Sequence, residues 1–135
     1  MRKKRRILSP LDKAHRDTEK ALIAAVNRRD KVCQTAGYCA EKGGCSDVLQ
    51  MDHAIISRKH QATFFEIRQM ILLCSKAHSN KTFKNYGFDT LVHKLILERE
   101  GQMFVYLMLE KSRQIKKWTC MELETMRDQF NGLYL

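Results

Sequence analysis

The sequence predicts an α+β fold, mainly helical, with one helix ahead of a cysteine-rich segment and several helices behind it. Three observations lead there. Apolar residues recur at helical spacing over residues 11–26 and again from Phe88 onward. Between them, residues 33–47 mix cysteines with Gly37, Gly43, Gly44 and small polar residues, which is loop chemistry. Two short apolar stretches follow, VLQMDHAII at 48–56 and MILL at 70–73, and these are the strand candidates. A chain of 135 residues with 44% hydrophobic content can bury a core, and it is long enough for one domain over 1–135 but hardly for two.

Taken in order, residues 1–8 carry five basic side chains and no acid, and read as an arm that either lies along a phosphate backbone or stays solvated. Over residues 9–30 the sequence predicts the N-terminal helix. Ser9 is its cap, Pro10 suits the first position, Asp12 falls in the first turn, and Leu11, Ala14, Leu22, Ala25 and Val26 keep the repeat to about Asn27. Residues 32–82 form the core segment. Within it 48–56 is a strand pair or a strand running into a loop, 61–69 is ambiguous, 70–73 reads as a strand end, and a short helix starts at Ser75. Residues 84–135 are helical. Phe88, Leu91, Val92, Leu95 and Ile96 mark one face, ending near Gly101. Gln102–Gln114 is apolar around most of its surface and is expected to be well buried. Thr119 with Glu122 has the capping-box form for a last helix over Cys120–Phe130, with Gly132 just past its end.

Composition narrows the partners. Twenty-five Lys and Arg stand against fifteen Asp and Glu, a formal charge of +10, which favours nucleic-acid phosphates over neutral ligands. No apolar run is long enough to span a membrane and no apolar leader follows the basic start, so a cytoplasmic protein is expected. Five cysteines without an export signal favour metal ligation over disulfides. Neither C-x-x-C pair is completed: Ala36 and Ala77 stand where the second cysteines would be. Cys33, Cys39, Cys45 and Cys74 still make a set of four for a structural zinc ion, the last arriving from beyond the Asp-His segment. Cys120 lies in a helix and is expected in the core.

One stretch carries chemistry. In QMDHAIISRKH, residues 50–60, Asp52 and His53 adjoin, and His78 and Lys81 follow the apolar run that ends in Cys74. Over residues 32–82 this pattern resembles the HNH nuclease family. The resemblance implies a ββα-metal core of two strands and a helix around one divalent cation, Mg2+ or Mn2+ with Ni2+ and Zn2+ as further choices. It implies hydrolysis of DNA phosphodiester bonds, with His53 as general base and with Asp52 and His78 as ligands of the catalytic ion. By spacing from Cys74, Gln69 takes the middle position, usually asparagine or histidine, that orients the base. Either the glutamine amide substitutes there or a backbone carbonyl does the orienting.

The chemistry agrees with those roles. A neutral histidine accepts a proton from water near neutral pH, and a carboxylate and an imidazole leave coordination positions open for water and substrate. Adjacent strand residues point to opposite faces, so Asp52 and His53 share a site only if the chain turns there. Arg58 can grip a phosphate or form a structural salt bridge, with Lys59 and Lys81 as weaker phosphate contacts. His15, His60 and His93 read as structural or solvated. The tail, GQMFVYLMLEKS followed by KKWTCMELETM, resembles the lambdoid-phage NinG/Rap recombination endonucleases through Trp118, Thr119 and Glu122. That resemblance implies branched DNA as substrate and a homodimer that cuts paired strands. The alternative is a non-catalytic, zinc-stabilised module that binds DNA or RNA.

Overall fold

The computed structural model describes residues 6–135. Residues 1–5 of the expected basic arm lie outside the described residues. The chain is α+β and mainly helical, with six α-helices and a two-stranded sheet among the described residues. Helix α1 (Pro10–Asp30) starts as its sequence dictates: the Ser9 hydroxyl accepts the Asp12 amide at 3.1 Å and Pro10 opens the helix. It continues past Asn27 because its last turn is held by tertiary bonds. Arg28 donates to the carbonyls of Phe130 and Leu133, and Arg29 to those of Ile67 and Met70.

The segment 33–47, expected as loop, contains a short helix, α2 (Ala36–Glu41). Six residues cannot hold a helix by propensity. Fully buried Cys39 fixes it from within, and the Gly44 amide closes onto the Cys39 carbonyl at 2.7 Å. Gly43 and Gly44 both have positive φ, 95° and 91°, so the turn after α2 needs glycine there.

Strand β1 (Leu49–His53) pairs antiparallel with β2 (Met70–Cys74), Leu49 opposite Cys74 and His53 opposite Met70. Residues 48–56 are therefore one strand running into a loop, not a strand pair. Helix α3 (Ser75–Thr82) follows β2 without a connecting residue. Every residue of β2 is buried, which is why its sequence is a continuous apolar run without alternation. Its two faces serve different cores. Ile71 and Leu73 pack with Phe88, Val92, Ile96, Phe104 and Met108. Met70 and Leu72 pack with Leu22, Val26, Phe64, Phe65, Leu123 and Phe130.

Helices α4 (Phe88–Glu100), α5 (Gln102–Ser112) and α6 (Cys120–Asn131) complete the chain. Gly101, at φ 86°, is the joint between α4 and α5. Contrary to the expectation that α5 is well buried, only Phe104, Val105 and Met108 are, while Met103, Tyr106, Leu107 and Leu109 are exposed. The helix lies on the edge of one core and presents a single face to it. The capping box of α6 is formed as expected, with Thr119 and Glu122 bonded reciprocally. Cys120, expected in the core, is only half-buried. Helices α1 and α6 run side by side in the same direction: Thr18, midway along α1, bonds the Leu123 carbonyl near the start of α6, and Arg28, near the end of α1, reaches the carbonyls of Phe130 and Leu133 at the end of α6. Among the described residues no helix is long and apolar enough to cross a membrane.

Candidate functional site

Asp52 and His53 end strand β1, and both line one open cleft of about 720 Å³ whose other walls include Arg58, His78, Lys81 and His93. The strand stops at His53, so two adjacent residues can serve one cleft although strand geometry alone would part them. Asp52 is 4% exposed. Its Oδ1 lies 3.4 Å from His78 Nε2, on helix α3. The Lys81 ammonium sits 3.0 Å from Oδ2, but its hydrogen bond goes to Oδ1 at 3.3 Å. Oδ2 is left as a buried oxygen without a hydrogen bond of good geometry. The carboxylate, with the His78 imidazole beside its Oδ1, is a donor set of the kind that ligates a divalent cation, and the Lys81 ammonium holds the Oδ2 side.

His53 is held by the loop that joins the strands. Its Nε2 lies 3.0 Å from the Phe64 carbonyl, and its ring packs on the Phe64 ring with centroids 5.0 Å apart. A carbonyl only accepts, so Nε2 carries the proton and the neutral ring keeps its lone pair on Nδ1. Burial lowers the His53 pKa from the ordinary histidine value, and the Arg58 charge works the same way; together they outweigh the Phe64 bond and the nearby carboxylates. Burial and the Arg58 charge thus favour the neutral ring.

Gln69 makes no hydrogen bond to His53. It is fully buried; its Oε1 accepts the Ile56 amide at 2.8 Å and its Nε2 donates to the Thr63 carbonyl at 2.9 Å. It staples the loop of residues 54–69, and the Phe64 carbonyl does the orienting. The group bonded to the His53 ring is a backbone carbonyl, that of Phe64. Arg58 forms the salt bridge expected of it, with Glu19 at 3.2 Å, and it lines the cleft with 65% of its side chain exposed. Lys59 is exposed and outside the cleft lining, and Lys81 is engaged with Asp52 and the His53 carbonyl rather than free for phosphate. His60 is exposed. His15 is structural, bonded to Gln61 and packed on Phe64 and Phe65.

Three contributors were not identified from the sequence. No residue type announces the Phe64 carbonyl. His93 and Asp89 also face the cleft. They neighbour the buried Val92 and Phe88 on α4, so the helical repeat carried the signal. A smaller hollow of about 340 Å³, lined by Gln34, Ile71, Leu95, Glu98 and Arg99, holds no histidine or cysteine and no comparable chemistry.

Behind the sheet, Cys33, Cys39, Cys45 and Cys74 come together with all four sulfurs within 4.8 Å of one another. Four thiolates around zinc at about 2.3 Å give sulfur–sulfur edges of roughly 3.8 Å. The Cys39–Cys74 separation is 3.9 Å, and all the cysteines are free thiols. The set can hold a metal ion such as zinc. Cys45 is exposed as a residue, yet its sulfur faces the other three.

Burial pushes the Cys74 thiol up, but hydrogen bonds from the Ala77 amide and from Ser46 outweigh it and bring the thiol down to about 6. Its place as N-cap of α3 adds the favourable end of the helix dipole. Cys45 is pushed up to about 12, first by desolvation and then by the neighbouring thiols, and desolvation also raises Cys39. A divalent cation supplies the charge that lets all four ionise together. The Lys76 ammonium bonds the Lys42 and Gly44 carbonyls and so fixes the loop that carries Cys45. No family model matches this chain, and no curated protein or solved structure matches it either.

Proposed function

We propose that this chain is a metal-dependent endonuclease of the HNH kind, hydrolysing phosphodiester bonds in DNA. One observation carries the reading: Asp52 and His53 from a strand end and His78 from the following helix line one cleft, on a strand–loop–strand–helix unit. In this reading Asp52 and His78 hold the catalytic cation. When bound, that ion offsets charge on a non-bridging phosphate oxygen and on the leaving 3′ oxygen. His53 takes the proton from the attacking water on Nδ1, while the Phe64 carbonyl fixes the ring through Nε2. The water oxygen bonds to phosphorus and the bond to the 3′ oxygen breaks. The Lys81 ammonium, 3.0 Å from Asp52 Oδ2, would have to yield that oxygen to the cation. Arg58 and Lys84 line the cleft as further phosphate contacts. The cysteine cluster, in the same reading, binds a structural zinc ion that fixes the start of α3 and with it His78.

Branched recombination intermediates as substrate, and a homodimer, remain the finer part of the proposal. Trp118, Thr119 and Glu122, which carry the resemblance to the NinG/Rap enzymes, have structural work here. Trp118 donates to the Gln61 carbonyl and meets the Phe65 ring edge-on at 5.5 Å, and the other two cap α6. They support similar architecture more than shared substrate.

A second reading, a zinc-held nucleic-acid-binding module without catalysis, draws on the Lys81 ammonium 3.0 Å from the oxygen a catalytic cation would need. The two readings part in one assay. Labelled linear duplex and four-way-junction DNA are incubated with the protein in Mg2+, Mn2+ or EDTA, with His53→Ala alongside. The nuclease reading expects metal-dependent cutting that the variant loses by about 10²- to 10⁴-fold while it still shifts DNA on a gel. Binding with no cutting in any metal supports the module.

A further inference from the structure

Helices α3 and α4 are joined by Phe83, Lys84, Asn85, Tyr86 and Gly87, and this turn displays its aromatic side chains to solvent. Phe83 is 72% exposed and Tyr86 64% exposed. The backbone around them is strained: Lys84 and Tyr86 lie at φ 55° and 53°, where side chains other than glycine and asparagine are disfavoured. The turn is nonetheless firmly held. The Asn85 amide bonds the Asn80 carbonyl at 2.8 Å, the two asparagine side chains meet at 3.4 Å, and the Tyr38 hydroxyl bonds the Tyr86 carbonyl. A strained turn, held by three hydrogen bonds with Asn80 and Tyr38 while it exposes two rings, is not explained by packing.

Cations interleave with these rings. Lys81 and Lys84 line the cleft beside Asp52, and the Lys42 ammonium lies 5.4 Å from the centre of the Tyr86 ring. Phe83 is two residues from Lys81, so their Cα atoms are within about 8 Å. Aromatic faces set among lysines match single-stranded nucleic acid, whose bases have free faces and whose backbone is anionic. The same lysines oppose docking of a second copy of a chain that carries +10.

We propose that the Phe83–Tyr86 turn is a stacking platform for unpaired nucleotides of the DNA strand entering the cleft, with Lys84 and Lys42 taking the flanking phosphates. This rests on the nuclease reading and deepens it, because it assigns the substrate an unpaired stretch next to the scissile bond. Paired bases are stacked on one another and offer no such face. Stacking also tolerates any base, so the platform selects strand state rather than sequence.

The test uses the full chain carrying His53→Ala, which cannot cut, and reads fluorescence anisotropy with a short labelled oligothymidine and a duplex of equal length. Phe83→Ala, Phe83→Leu and Phe83→Trp are added to that background; the exposure of Phe83 makes all three compatible with folding. The expected result is that alanine and leucine weaken single-strand binding by about fivefold or more, tryptophan retains it, and duplex binding changes by less than about twofold. Leucine performing like phenylalanine, or equal losses on both DNAs, overturns the platform and leaves the nuclease reading standing. Failure of the His53→Ala parent to bind either DNA overturns the nuclease reading, and the platform with it.

Discussion

Gln69 stands where the HNH resemblance would place a residue that orients a general base, yet both ends of its amide are spent on the backbone of the loop. Replacing it with leucine strands the Ile56 amide and the Thr63 carbonyl, each at about 1–3 kcal/mol. Gln69→Leu is therefore expected to lower unfolding free energy in urea while His53 keeps its bond to Phe64; in the proposed nuclease, cutting by the folded fraction at low temperature survives. A catalytic role for Gln69 predicts the reverse, lost cutting at near-normal stability. Arg58 gives the opposite pattern. Its ion pair with Glu19 is exposed and adds little, so Arg58→Ala should change stability by less than about 1 kcal/mol and weaken DNA binding measurably. At this scale, the meeting of Asp52, His53 and His78 in one cleft was legible because polar side chains in an apolar setting stand out in the sequence. The partner of His53 was not legible because it is a carbonyl, which every residue has. The role of Gln69 stayed open in the sequence because spacing gives position along the chain but not the direction in which an amide points.

Helix α5 shows what an apolar composition leaves undetermined. Its residues are apolar around most of the circumference, which suits burial on all sides, yet its neighbours cover only Phe104, Val105 and Met108. Which face is covered depends on where α4 and the strand loop lie, and no local pattern encodes that. The energetic consequence is an asymmetry along one helix. Phe104→Ala should cost about 3–5 kcal/mol, while Met103→Lys, at a position 70% exposed, should stay within about 0.5 kcal/mol, both read from thermal or urea melts. Helix α2 was invisible for a related reason. Its support is the cysteine cluster and the glycine turn after it, not its six residues. The ends of α1 and α6 were legible because capping is local: Ser9 and Thr119 each bond an amide three residues on. Thr119→Ala removes half of the reciprocal pair and should cost about 1 kcal/mol.

Strand β2 makes the whole molecule one cooperative unit, because the core under α4 and the core under α1 and α6 share its two faces. Its last residue, Cys74, belongs at once to the sheet, to the cysteine cluster and to the cap of α3. Metal binding at the cluster is consequently a matter of global stability. Structural zinc in small domains contributes about 10–16 kcal/mol of apparent binding free energy, against a typical total stability of about 5–15 kcal/mol. Even a fraction of that term exceeds what the remaining contacts of residues 33–47 can replace, since α2 cannot stand alone. Purified chain is expected to carry one zinc ion by elemental analysis. Stripping it with a strong chelator should lower the thermal midpoint in a single transition, and added zinc should restore it. Cys45→Ser serves as the companion, because Cys45 lies outside the buried thiols and its loss disturbs packing least; it should reproduce the stripped melt without chelator. A midpoint indifferent to both treatments would mean that the four sulfurs are ordinary thiols gathered by the fold. Two separate transitions after stripping would instead mean that β2 does not couple the cores.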